Sequence, residues 1–195
     1  MAIEAVVACA ESEQAISRMD GFEARLRALF PAIGMLHPEG GSGDVSLAHV
    51  LQTAALALQA QAGCPVTFAR TTATIDPGVY QVVVEYSEEA VGRQAFEDAQ
   101  RLINAALGQG DFDAEAAIAN LRELDEDERL GPSTGAIVDA AVARDIPFRR
   151  LTRGSLVQFG WGSKQRRIQA AEIDSTSAVA ESIGQDKDLT KRLLH

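Results

Sequence analysis

Three histidines, His37, His49 and His195, bound the nucleophilic and metal chemistry open to this chain of 195 residues. A serine or cysteine nucleophile needs an imidazole within hydrogen-bond reach. His37 precedes Pro38 next to a loop and His195 is the last residue, so neither is well placed as a base. His49 stands on a strongly helical stretch, in His49-Val50-Leu51-Gln52-Thr53. That run has the spacing of the H-x-x-E-H zinc helix, but Gln52 and Thr53 occupy the positions of its Glu and second His. A catalytic zinc takes about three protein ligands, with a carboxylate to accept the proton of its water. This helix offers one ligand, and a lone helical His is ordinarily a packed or surface residue. The two cysteines, Cys9 and Cys64, are too few for a disulfide scaffold or a thiolate zinc site, so a reducing cytoplasm is expected.

Phosphate chemistry has equally little support. There is no G-x-x-x-x-G-K-[ST], and Gly160-Trp161-Gly162 lacks the third glycine of a dinucleotide fingerprint, which leaves a tight turn between strands. Arg149, Arg150, Arg153, Lys164, Arg166 and Arg167 fall within 19 positions that contain no acid. A solvated edge strand explains them as well as a phosphate or carboxylate partner does. Net charge is −10 and unevenly placed: residues 1–148 hold 9 Arg, no Lys and 23 acids, and residues 149–195 hold 9 basic and 5 acidic residues. An acidic body followed by a basic tail disfavours nucleic acid as a partner. No apolar run approaches the roughly 20 residues of a membrane span, and Met1–Ala10 carries Glu4 without a basic flank, unlike a signal peptide.

The elements that position these residues follow from periodicity. Ala2–Cys9 alternates as a strand, and a chain that starts inside a strand is expected to lack an element upstream. Gly21–Phe30 reads as a helix with Asp20 as N-cap and Pro31 at its end, followed by a loop over Pro38–Asp44. Ser46–Ala62 is a strong helix with Asp44 or Ser46 as cap and Gly63 as stop. Val66–Thr72 and Val79–Tyr86 form a hairpin through Asp76-Pro77-Gly78. Glu88–Leu107 is an amphipathic helix burying Val91, Ala95, Leu102 and Ala106. A helix over Asp113–Leu124 precedes the acidic run Asp125–Glu128. Further on come a helix over Ser133–Ala143 capped by Ser133 or Thr134, strands over Ile146–Leu151, Leu156–Phe159 and Arg167–Ala171, and a helix over Asp186–Leu194. Helices and strands intermix without strict alternation, so the fold class is α+β, with a mixed, largely antiparallel sheet carrying helices and then a short β-rich segment.

Four long segments resemble the cyanophycin synthetases: FARTTATIDPGVYQVVVEYSEEAVGRQA (Phe68–Ala95), LGPSTGAIVDAAVARDIPFRRL (Leu130–Leu151), SLVQFGWGSKQRRIQAAEIDSTS (Ser155–Ser177) and DKDLTKRLL (Asp186–Leu194). Members of that family are long ligases with an N-terminal domain, an ATP-grasp domain and a Mur-ligase-like domain, and they build an aspartate backbone bearing arginine on each side chain. The resemblance implies an N-terminal polymer-holding domain over residues 1–130, a linking segment with strands over 131–172, and the first helix of a truncated ATP-grasp domain over 173–195. It implies ATP and magnesium for the complete enzyme and none in this piece, which would not itself be catalytic. The partners it implies are the polymer, the downstream domains of the same chain and further copies in a homo-oligomer.

A polymer displaying carboxylates and guanidinium groups asks for both signs of charge. Glu85, Glu88 and Glu89 are expected to accept guanidinium groups, and Arg70 and Arg93 to hold carboxylates. The alternative is a cross-strand ion pair between Arg70 and Glu85, worth under about 1 kcal/mol. Asp174, Thr176 and Ser177 match the family's D-x-T-S pattern, suited to a substrate carboxylate or, alternatively, to capping a helix. Lys187 resembles a lysine that contacts nucleotide in ATP-grasp enzymes. Some members carry a complete H-x-x-E-H helix and are similar to a zinc peptidase there, so His49 reads as a vestigial position. A zinc-dependent hydrolase and a purely structural oligomerisation module are the alternative readings.

Overall fold

The computed structural model describes residues 1–37, 44–170 and 172–194. Most of the loop expected over Pro38–Asp44 lies outside the described residues, as does His195. The chain divides into two units, Met1–Glu128 and Arg129–His195.

In the first unit, alternation along β1 (Ala2–Ala8) exposes Ala2, Glu4, Val6 and Ala8 and turns Ile3, Ala5 and Val7 inward. Strand β2 (Ala69–Ala73) and strand β3 (Val79–Glu85) form the expected hairpin. β3 is central, in the order β1-β3-β2, and both pairings are antiparallel. Val82 and Val84 are buried beneath the helices. Two long helices supply that cover, α2 (Leu47–Ala62) and α3 (Glu89–Ala106). The buried positions of α3 include Val91, Ala95, Leu102 and Ala106, as its periodicity predicts. α1 (Phe22–Leu29) adds Phe22 and Leu26 to the core, and its Arg25 Nε donates to the Ala106 carbonyl at 2.7 Å, closing the C-terminus of α3. α4 (Ala114–Glu128) brings Ala117 and Leu121 into the same core. Each fully buried Leu or Phe side chain here, as at Phe22, Leu26 and Leu121, contributes about 1.5–3 kcal/mol before entropy is counted.

Several boundaries differ from expectation. Asp20 does not cap α1: the cap position is Gly21, left-handed at φ 64°, with no side-chain capping bond. A Cβ at Gly21 would meet only the flexible end of Arg25, at 2.8 Å from Nη1, so it is the left-handed backbone that favours glycine here. The acidic run Asp125–Glu128 continues α4 instead of leaving it. Its anchor is Asp125 Oδ1, which accepts from the Ser87 hydroxyl at 3.3 Å and the Cys64 thiol at 3.8 Å.

The second unit opens with α5 (Pro132–Val142). Gly131, not Ser133 or Thr134, is its cap residue: Pro132 has no N–H to satisfy and a φ preset for the first turn. β4 (Phe148–Arg150), β5 (Leu156–Phe159), β6 (Arg166–Gln169) and β7 (Glu172–Ile173) form a sheet in sequence order, all neighbours antiparallel. Val157 and Ile168 bury against Val138 of α5. α6 (Ala178–Gln185) and α7 (Lys187–Leu193) end the chain. β7 has no sequence forecast, being too short to alternate. Among the described residues every strand pairing is antiparallel, so the sheets are not mixed, and the α+β class stands. No helix among them is long and apolar enough to cross a membrane.

Candidate functional site

The charged residues of the hairpin and of the α3 N-terminus lie at two places. Arg70 sits on the open face of the three-stranded sheet, opposite Val83, and Val83 in turn is opposite Glu4. Residues directly opposite share a face, and neighbouring strands run about 4.8 Å apart, so Arg70 and Glu4 flank Val83 at a backbone separation of about 10 Å. Both are exposed. Gln81 on the same face donates its amide to the Glu4 carboxylate.

Glu85 does not pair with Arg70. Its Oε2 accepts the backbone N–H groups of Thr67 at 2.7 Å and Phe68 at 2.8 Å. Those two donors, Thr67 first, hold its carboxyl below the usual glutamate range. On the first turn of α3, Glu89 Oε1 takes both Nε and Nη2 of Arg93, at 2.9 and 2.7 Å. The four-residue spacing makes this an exposed helical ion pair of a few tenths of a kcal/mol, about 0.3–0.5 kcal/mol. Glu88 is the N-cap residue of α3.

His49 is part of a helix cap. The Ser46 backbone N–H donates to His49 Nδ1 at 3.3 Å, and the Ser46 hydroxyl lies 2.8 Å from the same nitrogen. Nδ1 therefore accepts, and the proton of the neutral ring is on Nε2. Burial pushes the imidazole below its ordinary value, and the ring meets Tyr80 edge-on at 5.6 Å between centroids. Gln52 Oε1 accepts from the Thr71 hydroxyl at 2.8 Å, tying α2 to β2, while the Thr53 hydroxyl donates to the His49 carbonyl at 2.9 Å. One imidazole with Nδ1 engaged, an amide and a hydroxyl do not fit a zinc ligand set. Among the described residues no three or more His, Cys, Asp or Glu side chains gather as a metal site.

In the second unit the D-x-T-S residues shape a turn and a helix start. The Asp174 N–H donates to the Arg167 carbonyl at 3.0 Å. Thr176 Oγ1 accepts the Ile173 N–H at 3.2 Å, and Ser177 Oγ caps α6 through the Ala180 N–H at 3.0 Å. Lys187 is the exposed first residue of α7, beside Asp186, whose carboxylate caps that helix through Leu189. A triphosphate with magnesium needs several converging charges. Lys187 has Asp186 and Asp188 beside it and Lys191 one turn on, so the described residues do not by themselves complete such a site. Of the basic run, Arg150 turns onto the Gly154 carbonyl at 3.0 Å, while Arg149 and Arg167 flank Gln158 in one register row.

Sequence reasoning missed a cleft in the first unit, between the end of β1, the turn at Glu11–Glu13, the start of α2 and the C-terminal half of α3. Its residues lie far apart in sequence, and no local motif marks it.

Residues 5–108 match the model of the cyanophycin synthase-like N-terminal domain. Over 151 residues, 76% of this chain, the sequence is 40% identical to the cyanophycin synthetase of Trichormus variabilis, 38% to that of Geminocystis herdmanii and 37% to that of Crocosphaera subtropica. The chain spans about 17% of the length of these relatives. The resemblance read from the four segments is thus shown, and the chain belongs to the cyanophycin synthase-like N-terminal domain family.

Proposed function

We propose that this chain holds a polymer of aspartate and arginine for the ligase domains of a cyanophycin-synthesising enzyme. The observation that carries the reading is the row Glu4–Val83–Arg70, in which a carboxylate and a guanidinium stand on one open sheet face. A polymer with both signs of charge is complementary to such a face, where a singly charged polymer would be repelled by half of it. Arg70 takes polymer carboxylates, and Glu4 takes guanidinium groups. Glu88, Glu89 and Arg93 extend the charged surface at the start of α3, and Glu85 retains Oε1 for a contact beyond its backbone bonds. Tethering raises the concentration of the chain end at a linked active site to about millimolar, so modest affinity is sufficient.

The piece itself is a holding module and not a catalyst. In the longer enzyme, Thr176 and Ser177 serve a polymer carboxylate, and Lys187 the nucleotide of an ATP-grasp domain. The work is cytoplasmic, and the complete enzyme assembles as a homo-oligomer. Beads carrying the aspartate–arginine polymer test the reading: wild-type chain is retained and Arg70→Glu is retained less. Wild-type chain that flows through unretained contradicts it.

A further inference from the structure

We infer that the cleft of the first unit is a guanidinium site that takes one arginine side chain of the polymer, an inference that rests on the polymer-holding reading. The cleft has a volume of about 360 Å³, at the small end of the range for ligand pockets. Leu47, Leu51 and Ile103 give it an apolar wall, and Glu13, Gln100 and Asn104 line it with polar groups. That combination matches an arginine: the wall accepts the methylene stem, and the polar groups face the charged head. Gln100 and Asn104 stand four apart on α3, on one helical face, so both amides border the cleft.

Glu13 supplies the charge. Its Oε2 accepts the Ala10 backbone N–H at 2.7 Å, which fixes the side chain without using Oε1. Glu13 is half-buried and has no ion-pair partner among the described residues. A half-buried carboxylate with an acceptor to spare favours a cation. Arginine is favoured over lysine because a planar fork of five donors can serve a carboxylate and two amide oxygens together. Among the described residues no cationic side chain lines the cleft, so the cation comes from the ligand.

Calorimetry with a soluble aspartate–arginine oligomer, and with the same oligomer carrying neutral citrulline for arginine, tests the site. Glu13→Gln keeps an oxygen for the Ala10 N–H while removing the charge, and it is expected to weaken binding of the arginine oligomer about tenfold or more. Asn104→Leu, on an exposed helix position, is expected to weaken it as well. As a direct readout, N-acetyl-arginine amide shifts the Leu51 methyl resonances of the wild-type chain, and N-acetyl-citrulline amide does not. Oligomer binding by wild type that is unchanged in both variants overturns the cleft and leaves the polymer-holding reading standing. A Leu51 shift without oligomer binding overturns polymer holding and supports the cleft. Absence of both overturns both.

Discussion

Glu85 Oε2 accepts the backbone N–H of Thr67 at 2.7 Å, and with the neighbouring bond from Phe68 it fastens the residues just before β2 to the end of β3. A residue expected to reach outward is spent largely on its own hairpin. Its depressed carboxyl value means that its stabilisation is present above the unfolded glutamate value and is lost as pH falls through the folded one. Urea titrations of wild type and Glu85→Gln between about pH 6 and pH 3 check this. Wild type loses more stability over that window than the variant does.

His49 gives the opposite chemistry with the same sign. Burial keeps the folded imidazole neutral below its ordinary value, so an unfolded chain takes up a proton that the folded chain does not. Stability is full above about pH 6.5 and falls as pH drops from there toward the folded value. His49→Gln preserves an N3 acceptor for the Ser46 N–H and removes the titration. Denaturation midpoints at pH 7.5 and pH 5.5 should differ for wild type and converge for the variant.

Gly92 lies inside α3, where alanine ordinarily gains about 1 kcal/mol over glycine. A Cβ there would stand 2.6 Å from Tyr86 Cβ and 3.2 Å from Ile3 Cδ1. Overpacking costs about 1–3 kcal/mol, so the collision wins and Gly92→Ala lowers the melting temperature. A raised melting temperature would show that β1 and the loop after β3 yield readily.

The Gln52–Thr71 bond joins helix to sheet at the helix position where a zinc peptidase would carry its glutamate. Thr71→Val leaves the Gln52 carbonyl without that partner and is expected to cost about 1–3 kcal/mol, read by chemical denaturation. Metal analysis of purified wild type is expected to find less than one zinc per chain. Stoichiometric zinc would show a ligand set other than His49, Gln52 and Thr53.

Much of the fold was legible because the strong elements carry their own periodicity. β5 falls on Leu156–Phe159 as alternation predicts, and the α2 stop at Gly63 adopts φ 98°. What local pattern could not show depends on distant partners. The acidic run reads as a stretch beyond the helix ending at Leu124 until Asp125 meets Cys64 and Ser87, residues 61 and 38 positions away. Arg70 and Glu85 have the right charges for a pair, but register sets Arg70 opposite Val83, and two backbone donors claim Glu85. Glu4 shares a surface with Arg70 because β1 lies beside β3, and the cleft at Glu13 needs four elements to exist.

Polymer holding, as proposed, requires the first unit to bind a polymer bearing both signs of charge. Calorimetric titration of the wild-type chain with a soluble aspartate–arginine oligomer, repeated at rising salt, tests it most directly. Saturable heat at up to about millimolar oligomer is predicted, weakening with salt and weakened further by Arg70→Glu. No heat at that concentration, or equal heat from polyaspartate alone, would contradict it.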